Sequence, residues 1–192
     1  MMAALDDVES HDTKLRSQGA VRVLEIGAGL GVNFPFVRRK IEYWNIDPNA
    51  QFHSGLLEAI KRNPKVQLER NIVGYGEDMH QIPDGHFDVV LTSHLLCSVS
   101  CPEKVLQECK RVLVKGGRLL FMEHVAQPKG TVARFLQDLI APIWWYSFCG
   151  CCPNRTSGEV IKNAGFAKVH MKEAQVDLPC VVSRQMYGYA VA

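Results

Sequence analysis

Glu25, Gly27, Gly29 and Gly31 are the first residues in the chain whose types and spacing could do chemistry. They stand in Val23-Leu24-Glu25-Ile26-Gly27-Ala28-Gly29-Leu30-Gly31, a short apolar run holding one acid, then glycines on alternate positions. The apolar run predicts a strand buried on both faces. The glycines predict a tight turn whose backbone, with Ala28, a ligand can approach closely. Such a turn, opening into a helix, forms a nucleotide-like site at the carboxyl edge of a parallel sheet. A carboxylate two residues before the first glycine suits a cationic group such as an amino acid ammonium. It does not suit a pyrophosphate. The expected ligand is therefore S-adenosylmethionine, with a dinucleotide as the alternative. The dinucleotide fingerprint asks for a glycine where Val32 stands.

Two further acids follow at the ends of later segments. Asp47, before Pro48, lies 20 residues after Gly27 and can accept from both hydroxyls of a ribose. Gly76-Glu77-Asp78-Met79 opens a loop in which Asp78 can accept from an exocyclic amino group of adenine. Met79 there offers an amide to a ring nitrogen and an apolar side chain to the ring face. The expected donor-binding residues are Glu25, Gly27, Ala28, Gly29, Gly31, Asp47, Pro48, Glu77, Asp78, Met79 and Thr92. The acceptor side should lie beyond the next two strands, at Thr92-Ser93-His94 and Glu123-His124. His94 and His124 are the candidates for taking a proton from an acceptor; structural hydrogen bonds at strand ends are the alternative for both.

Around these residues the chain reads as alternating strands and helices. Strands are expected over Val21–Ile26, Tyr43–Asp47, Val66–Val73, Phe87–Thr92 and Arg118–Val125. Helices are expected over Val32–Arg39, Gln51–Arg62, Cys101–Val114, Thr131–Phe148 with a break at Pro142, and Thr156–Ala164. Ala167–Gln175 and Gln185–Val191 read as two more strands, with no long helix between them. The predicted fold is an α/β, Rossmann-like, doubly wound sheet of seven strands. It is mostly parallel, with an antiparallel C-terminal edge pair and helices on both faces. Residues 1–20 read as a polar segment with a short weak helix over residues 5–17, and residues 21–192 as one domain.

With 192 residues, 47% hydrophobic and 22% charged, the composition is that of a soluble globular domain. A net charge of +2 with no basic block argues against a nucleic-acid partner. Seven cysteines without a secretory signal are expected as reduced thiols in a cytosolic setting. No second cysteine pair stands at structural zinc spacing, so no metal is expected. The aromatic run Ile143-Trp144-Trp145-Tyr146 is expected in the core, with an apolar acceptor wall or a shallow membrane contact as alternatives.

Together the glycine loop, Asp47, Gly76-Glu77-Asp78-Met79 and Phe87-Asp88-Val89-Val90 resemble the class I S-adenosylmethionine-dependent methyltransferases of the type 11 group. Gly76 to Gln81, Leu96-Cys97-Ser98-Val99, Phe121-Met122-Glu123-His124-Val125 and Tyr187-Gly188-Tyr189-Ala190-Val191 are more specific. They are similar to the methyltransferase-like 7 proteins, membrane-associated alkyl-thiol methyltransferases. The resemblance implies methyl transfer to a small-molecule thiol, without a metal, from S-adenosylmethionine. It also implies a location peripheral to endoplasmic reticulum or lipid droplets. The hydrophobic anchor of that family has no counterpart in the polar stretch Met1–Ser17. Two alternatives remain at this stage. One is a nicotinamide-dependent oxidoreductase, which shares Asp47 but lacks a Tyr-x-x-x-Lys pair. The other is a methyltransferase-like binding protein without catalysis.

Overall fold

The computed structural model describes residues 1–192. Five strands run parallel: β1 (Val21–Ile26), β2 (Ile41–Asp47), β3 (Val66–Val73), β4 (Phe87–Ser93) and β5 (Leu113–His124). Two more, β6 (Lys168–Gln175) and β7 (Arg184–Val191), complete a seven-stranded sheet of order β3-β2-β1-β4-β5-β7-β6. β7 runs antiparallel to both β5 and β6. The order reverses between β1 and β4, which is where open α/β sheets bind ligands.

Strand alternation splits the core into two layers. Leu24, Ile26, Ile46, Val90, Leu119 and Phe121 face one side and pack against helices α4 (Pro102–Val112) and α6 (Ser157–Asn163) through Val105, Leu106, Cys109 and Ile161. Val21, Val23, Ile41, Tyr43, Val89, Leu91 and Leu120 face the other. They meet Leu56 of α3 (His53–Lys61), Phe34, and Leu5 and Val8 from the N-terminal segment. Pro102 begins α4, where its missing N–H costs nothing.

Several elements differ from expectation. Val32–Arg39 does not form an α-helix; the chain makes one 3-10 turn at Phe34–Phe36. Pro35 fixes the turn, and the amides of Phe36 and Val37 donate to carbonyls three residues back at 3.1 and 3.0 Å. Asn33 is drawn inward to Glu25, and Arg39 is drawn away to the carbonyls of Leu5, Val8 and Gly19. A continuing helix would break both attachments. The N-terminal segment forms two short helices, α1 (Ala3–Asp6) and α2 (Thr13–Ser17), the second capped by Asp12. Helix α5 (Val132–Ser147) continues through Pro142 and gives up one backbone bond there rather than breaking. No helix is long and apolar enough to cross a membrane.

Between the two short helices, the chain is tied to the sheet by Asp88. Its Oδ2 accepts from Ser10 Oγ at 2.7 Å and from the Arg22 amide at 2.8 Å. Its Oδ1 accepts from the His11 amide at 2.9 Å and lies 2.7 Å from His11 Nδ1. Burial pushes this carboxyl up, but the bonds from Arg22, His11 and Ser10 together hold it below its ordinary value. The folded value therefore lies below the unfolded one. The stabilisation is present above about pH 4 and is lost as pH falls through the folded value. Asp88→Asn keeps the shape but turns a donor toward donors. It is expected to cost about 2 kcal/mol in urea unfolding at neutral pH. The gap to wild type should close below about pH 4.

Candidate functional site

The glycine loop leaves β1 at the point of reversal. Gly27, Gly29 and Gly31 have φ of 72°, 54° and 77°, the left-handed region that favours glycine. The loop is clamped by β2. The Gly27 amide donates to Ile46 O at 2.8 Å, the Ala28 amide to Asn45 Oδ1 at 3.3 Å and the Gly29 amide to Asp47 Oδ2 at 3.1 Å. The Gly31 amide donates to Ala28 O at 2.9 Å. A side chain at Gly29 would enter open space, whereas one at Gly31 would strike the Phe34 ring. Gly29 therefore borders the cleft, and Gly31 is a packing residue.

Glu25 is buried on the same layer. Its Oε2 accepts from Tyr43 Oη at 2.6 Å and its Oε1 from Asn33 Nδ2 at 2.7 Å, and Asn33 also reaches Ser93 Oγ at 3.0 Å. Burial pushes the Glu25 carboxyl up, against the hydrogen bonds from Tyr43 and Asn33. These bonds make Glu25 an anchor that joins β1, β2 and, through Asn33, the end of β4. Neither Tyr43 nor Asn33 was among the expected site residues. An alternation-period tyrosine and a post-glycine asparagine carry no local signal for this role.

Asp47 ends β2 with Oδ2 on the Gly29 amide and Oδ1 accepting from the Asn49 amide at 2.9 Å. Each oxygen keeps a second lone pair for a ligand. Pro48 follows it, exposed. The crevice between Gly29, Asn45, Asp47 and Asn71 is narrow, with a free volume of about 10 Å³. That is below the roughly 300 Å³ usual for a small-molecule site.

The third acidic segment departs from expectation. Met79 is a core residue, and its amide donates to Glu108 Oε2 at 2.8 Å. It offers neither amide nor side chain to an adenine. Glu77 Oε1 accepts from the Ser100 and Cys101 amides at 2.9 and 3.4 Å, so it is spent tying this loop to the turn that leads into α4. Only Asp78 remains available. It is exposed, lies 3.0 Å from His80 Nδ1, and is held below its ordinary value by His80. Thr92 sits in register with Ile26, buried, its Oγ1 without a partner. The donor set fits a cationic nucleoside: Asp47 and the Gly29 edge at the sheet reversal, with no Lys or Arg side chain bonded to either, and the exposed Asp78 beside His80.

The other half of the site lies beyond β4 and β5. Glu123 is fully buried, and its Oε1 accepts from the Leu95 and Leu96 amides, each at 3.1 Å. Its Oε2 has no partner, and burial pushes the acid up to about 8. Glu123 thereby shapes the loop His94–Cys97, in which His94 takes φ 51°. The His94 and His124 rings stack with centroids 4.2 Å apart. His94 Nε2 lies 3.4 Å from Gln185 Oε1. Burial and the neighbouring His124 lower the His94 pKa, which favours a neutral ring. His124 Nδ1 lies 3.8 Å from Cys97 Sγ and 3.7 Å from Cys151 Sγ, and the two sulfurs are 3.5 Å apart. Cys97 Sγ donates to His94 O at 3.3 Å and Cys151 Sγ donates to Cys97 Sγ. This contact and burial push the Cys97 thiol up, while the same contact and the neighbouring His124 hold the Cys151 thiol low. Chain separation hid this cluster: Cys97 and Cys151 are 54 residues apart.

The donor and acceptor halves meet at the reversal, and residues 24–121, just over half of the chain, match the family profile described as "Methyltransferase domain". The chain belongs to this methyltransferase family. It is 40% identical over 174 residues to human thiol S-methyltransferase TMT1A, an alignment covering 90% of this chain and 71% of that protein. It is 42% identical over 156 residues to human thiol S-methyltransferase TMT1B, covering 81% of this chain and 64% of that protein. The chain thus spans roughly two thirds of the length of these relatives. A putative methyltransferase from Bacillus halodurans shares the fold at TM-score 0.69 and 16% identity, covering 99% of this chain and 96% of that one. The CurJ carbon methyltransferase does so at TM-score 0.65 and 20% identity, covering 90% and 48%. The methyltransferase depends on S-adenosylmethionine, and the dinucleotide alternative falls with the family.

The aromatic run in the methyltransferase is not core. Ile143, Trp145 and Tyr146 are exposed, and with Val132, Phe135 and Leu139 they form an apolar stripe on α5 that faces solvent. What docks α5 is the buried Gln137. It accepts from the Gln127 amide at 2.8 Å and donates to Pro153 O and Val181 O at 2.9 and 2.8 Å.

Proposed function

We propose that the methyltransferase carries a methyl group from S-adenosylmethionine to the sulfur of a small alkyl thiol. The observation that carries this reading is the 40–42% identity with two thiol S-methyltransferases. The paired histidines at the acceptor edge support it. When bound, the donor supplies an electrophilic methyl on a sulfonium, so the protein has no leaving group to activate. What it must supply is alignment and a dry approach.

Asp47 would accept from the ribose hydroxyls, and Asp78 from the adenine amino group. Glu25 would act on the ammonium end through Asn33, since its own oxygens are engaged. His94 turns Nε2 toward Gln185 Oε1, an acceptor, which leaves the ring lone pair on Nδ1. That lone pair can take the proton as the thiol sulfur forms its bond to the methyl carbon. A thiol gives up its proton far more readily than an alcohol, and its thiolate is the nucleophile, so a neutral imidazole is base enough. The solvent-facing apolar stripe of α5 supports an apolar acceptor and a location at the periphery of a membrane.

An acceptor panel tests this reading. Alkyl thiols, alcohols, amines and carboxylates of equal chain length are incubated with donor and the methyl products counted. Transfer to the thiol should exceed the others by at least ~100-fold, about what a mismatched group in an apolar pocket produces. Transfer confined to oxygen or nitrogen would overturn it.

A further inference from the structure

Cys97, Cys151 and His124 present one ligand atom each, all within 4.8 Å of one another. The triangle has edges of 3.5 Å between the sulfurs and of 3.7 and 3.8 Å from the sulfurs to Nδ1. A tetrahedral zinc ion, with Zn–S of about 2.3 Å and Zn–N of about 2.0–2.1 Å, sets its ligand atoms about 3.5–3.8 Å apart. The three atoms therefore already stand at coordination spacing. Three different elements bring them there: the loop after β4, the end of β5 and the turn after α5. Both cysteines are buried and His124 is half-buried. The His124 ring is fixed by stacking on His94. The Cys152 amide donates to Cys97 O at 2.8 Å and Arg155 donates to Leu96 O and Val99 O, which ties the two cysteine loops together. Two thiolates and an imidazole form a soft, borderline ligand set that suits zinc and not magnesium or calcium.

We propose that Cys97, Cys151 and His124 bind one zinc ion and leave its fourth position open toward the acceptor edge, where a thiol completes the tetrahedron. Binding of zinc displaces the two cysteine protons to solvent. An incoming alkyl thiol replaces a water on the metal and releases its own proton, to His94 or to solvent, so it arrives as a bound thiolate. No electron changes hands. Three protein ligands with one open position are the arrangement of a catalytic zinc site rather than a closed structural one. The choice of thiol as the fourth ligand rests on the acceptor class proposed above; binding of the metal does not.

The full chain is reconstituted with Co²⁺ in place of zinc and followed by absorption, with zinc content measured in parallel. One equivalent should bind, with the thiolate charge-transfer band and the intense red bands of tetrahedral cobalt. Cys97→Ser, Cys151→Ser and His124→Gln should each weaken binding by more than the roughly 10–100-fold that loss of an outer-shell partner costs. Cys180→Ser, which removes an exposed thiol, should leave it unchanged. Adding propanethiol should shift the cobalt bands, and propanol should not. Full binding in both Cys97→Ser and His124→Gln would overturn the site. So would an empty wild-type chain whose peptides show Cys97 and Cys151 joined as a disulfide. Cobalt bands unmoved by propanethiol would overturn the open position alone. Bands that shift with propanethiol in a protein that methylates only oxygen or nitrogen would leave the zinc site standing and refute the thiol acceptor.

Discussion

Asp47→Ala should weaken binding of S-adenosylhomocysteine by about 100-fold, read by calorimetry. On the proposed reading this residue accepts from the ribose, and hydrogen bonds to a charged group contribute about 1.5–3 kcal/mol. One such bond accounts for roughly tenfold or more, and two reach the stated loss. The same carboxylate accepts from the Gly29 and Asn49 amides. Its removal frees the glycine loop as well as the sugar. Asp47→Asn retains one acceptor oxygen and should fall between, near tenfold. Both variants should keep the wild-type circular dichroism, since Asp47 lies at the tip of β2, outside the two core layers. An affinity within about threefold of wild type in Asp47→Ala would remove Asp47 from the donor site.

Gly31→Ala is the largest expected loss of stability, about 3 kcal/mol. At φ 77° an alanine pays about 1–2 kcal/mol for the left-handed conformation. Its Cβ would also stand 2.5 and 2.7 Å from Phe34 ring carbons. Overpacking of that kind adds about 1–3 kcal/mol. Phe34 cannot yield cheaply, because it is buried and meets the Tyr43 ring edge-on with centroids 5.0 Å apart. Tyr43 in turn donates to Glu25. The strain therefore runs from a loop glycine to the buried acid, and the thermal midpoint should fall by about 6–12 °C. Gly29→Ala is the contrast. Its Cβ meets nothing within 4 Å, so stability should change by only about 1–2 kcal/mol. The donor affinity should suffer instead, because the added methyl enters the cleft. Equal thermal midpoints for the two variants would refute this division of labour.

These two glycines show how far the sequence could be read. Alternate glycines after an apolar run announced a turn at the sheet edge, and the turn is there. Nothing local separated the glycine that borders the cleft from the one that makes room for Phe34. The same holds for the acids. Glu25 and Asp47 lie in the predicted strands and Asp78 in the predicted loop after β3, but Glu77 is spent on the turn before α4 and Met79 fills the core. Their neighbour in sequence says nothing of Glu108 or of the α4 terminus, which fold against them from 20 to 30 residues away. The expected helix after the glycine loop failed for a related reason. Asn33 and Arg39 make long-range bonds that a helical period cannot reveal.

Strand and helix periods, turn residues and the acid–glycine spacing by themselves determined the α/β class and the seven strands, and the resemblance of its motifs pointed to the family of the chain. Those signals are local, and a period of two or of 3.6 residues is legible wherever one face is buried. Tertiary structure alone decided which polar groups are spent inside the protein and which remain for a ligand. It placed Tyr43 and Asn33 on Glu25, turned the stripe of α5 outward, and set two cysteines and a histidine from three elements around one point. The physical reason is that a hydrogen bond, a stacked ring or a coordination shell depends on distance in space. The sheet brings together residues that chain order keeps dozens of positions apart.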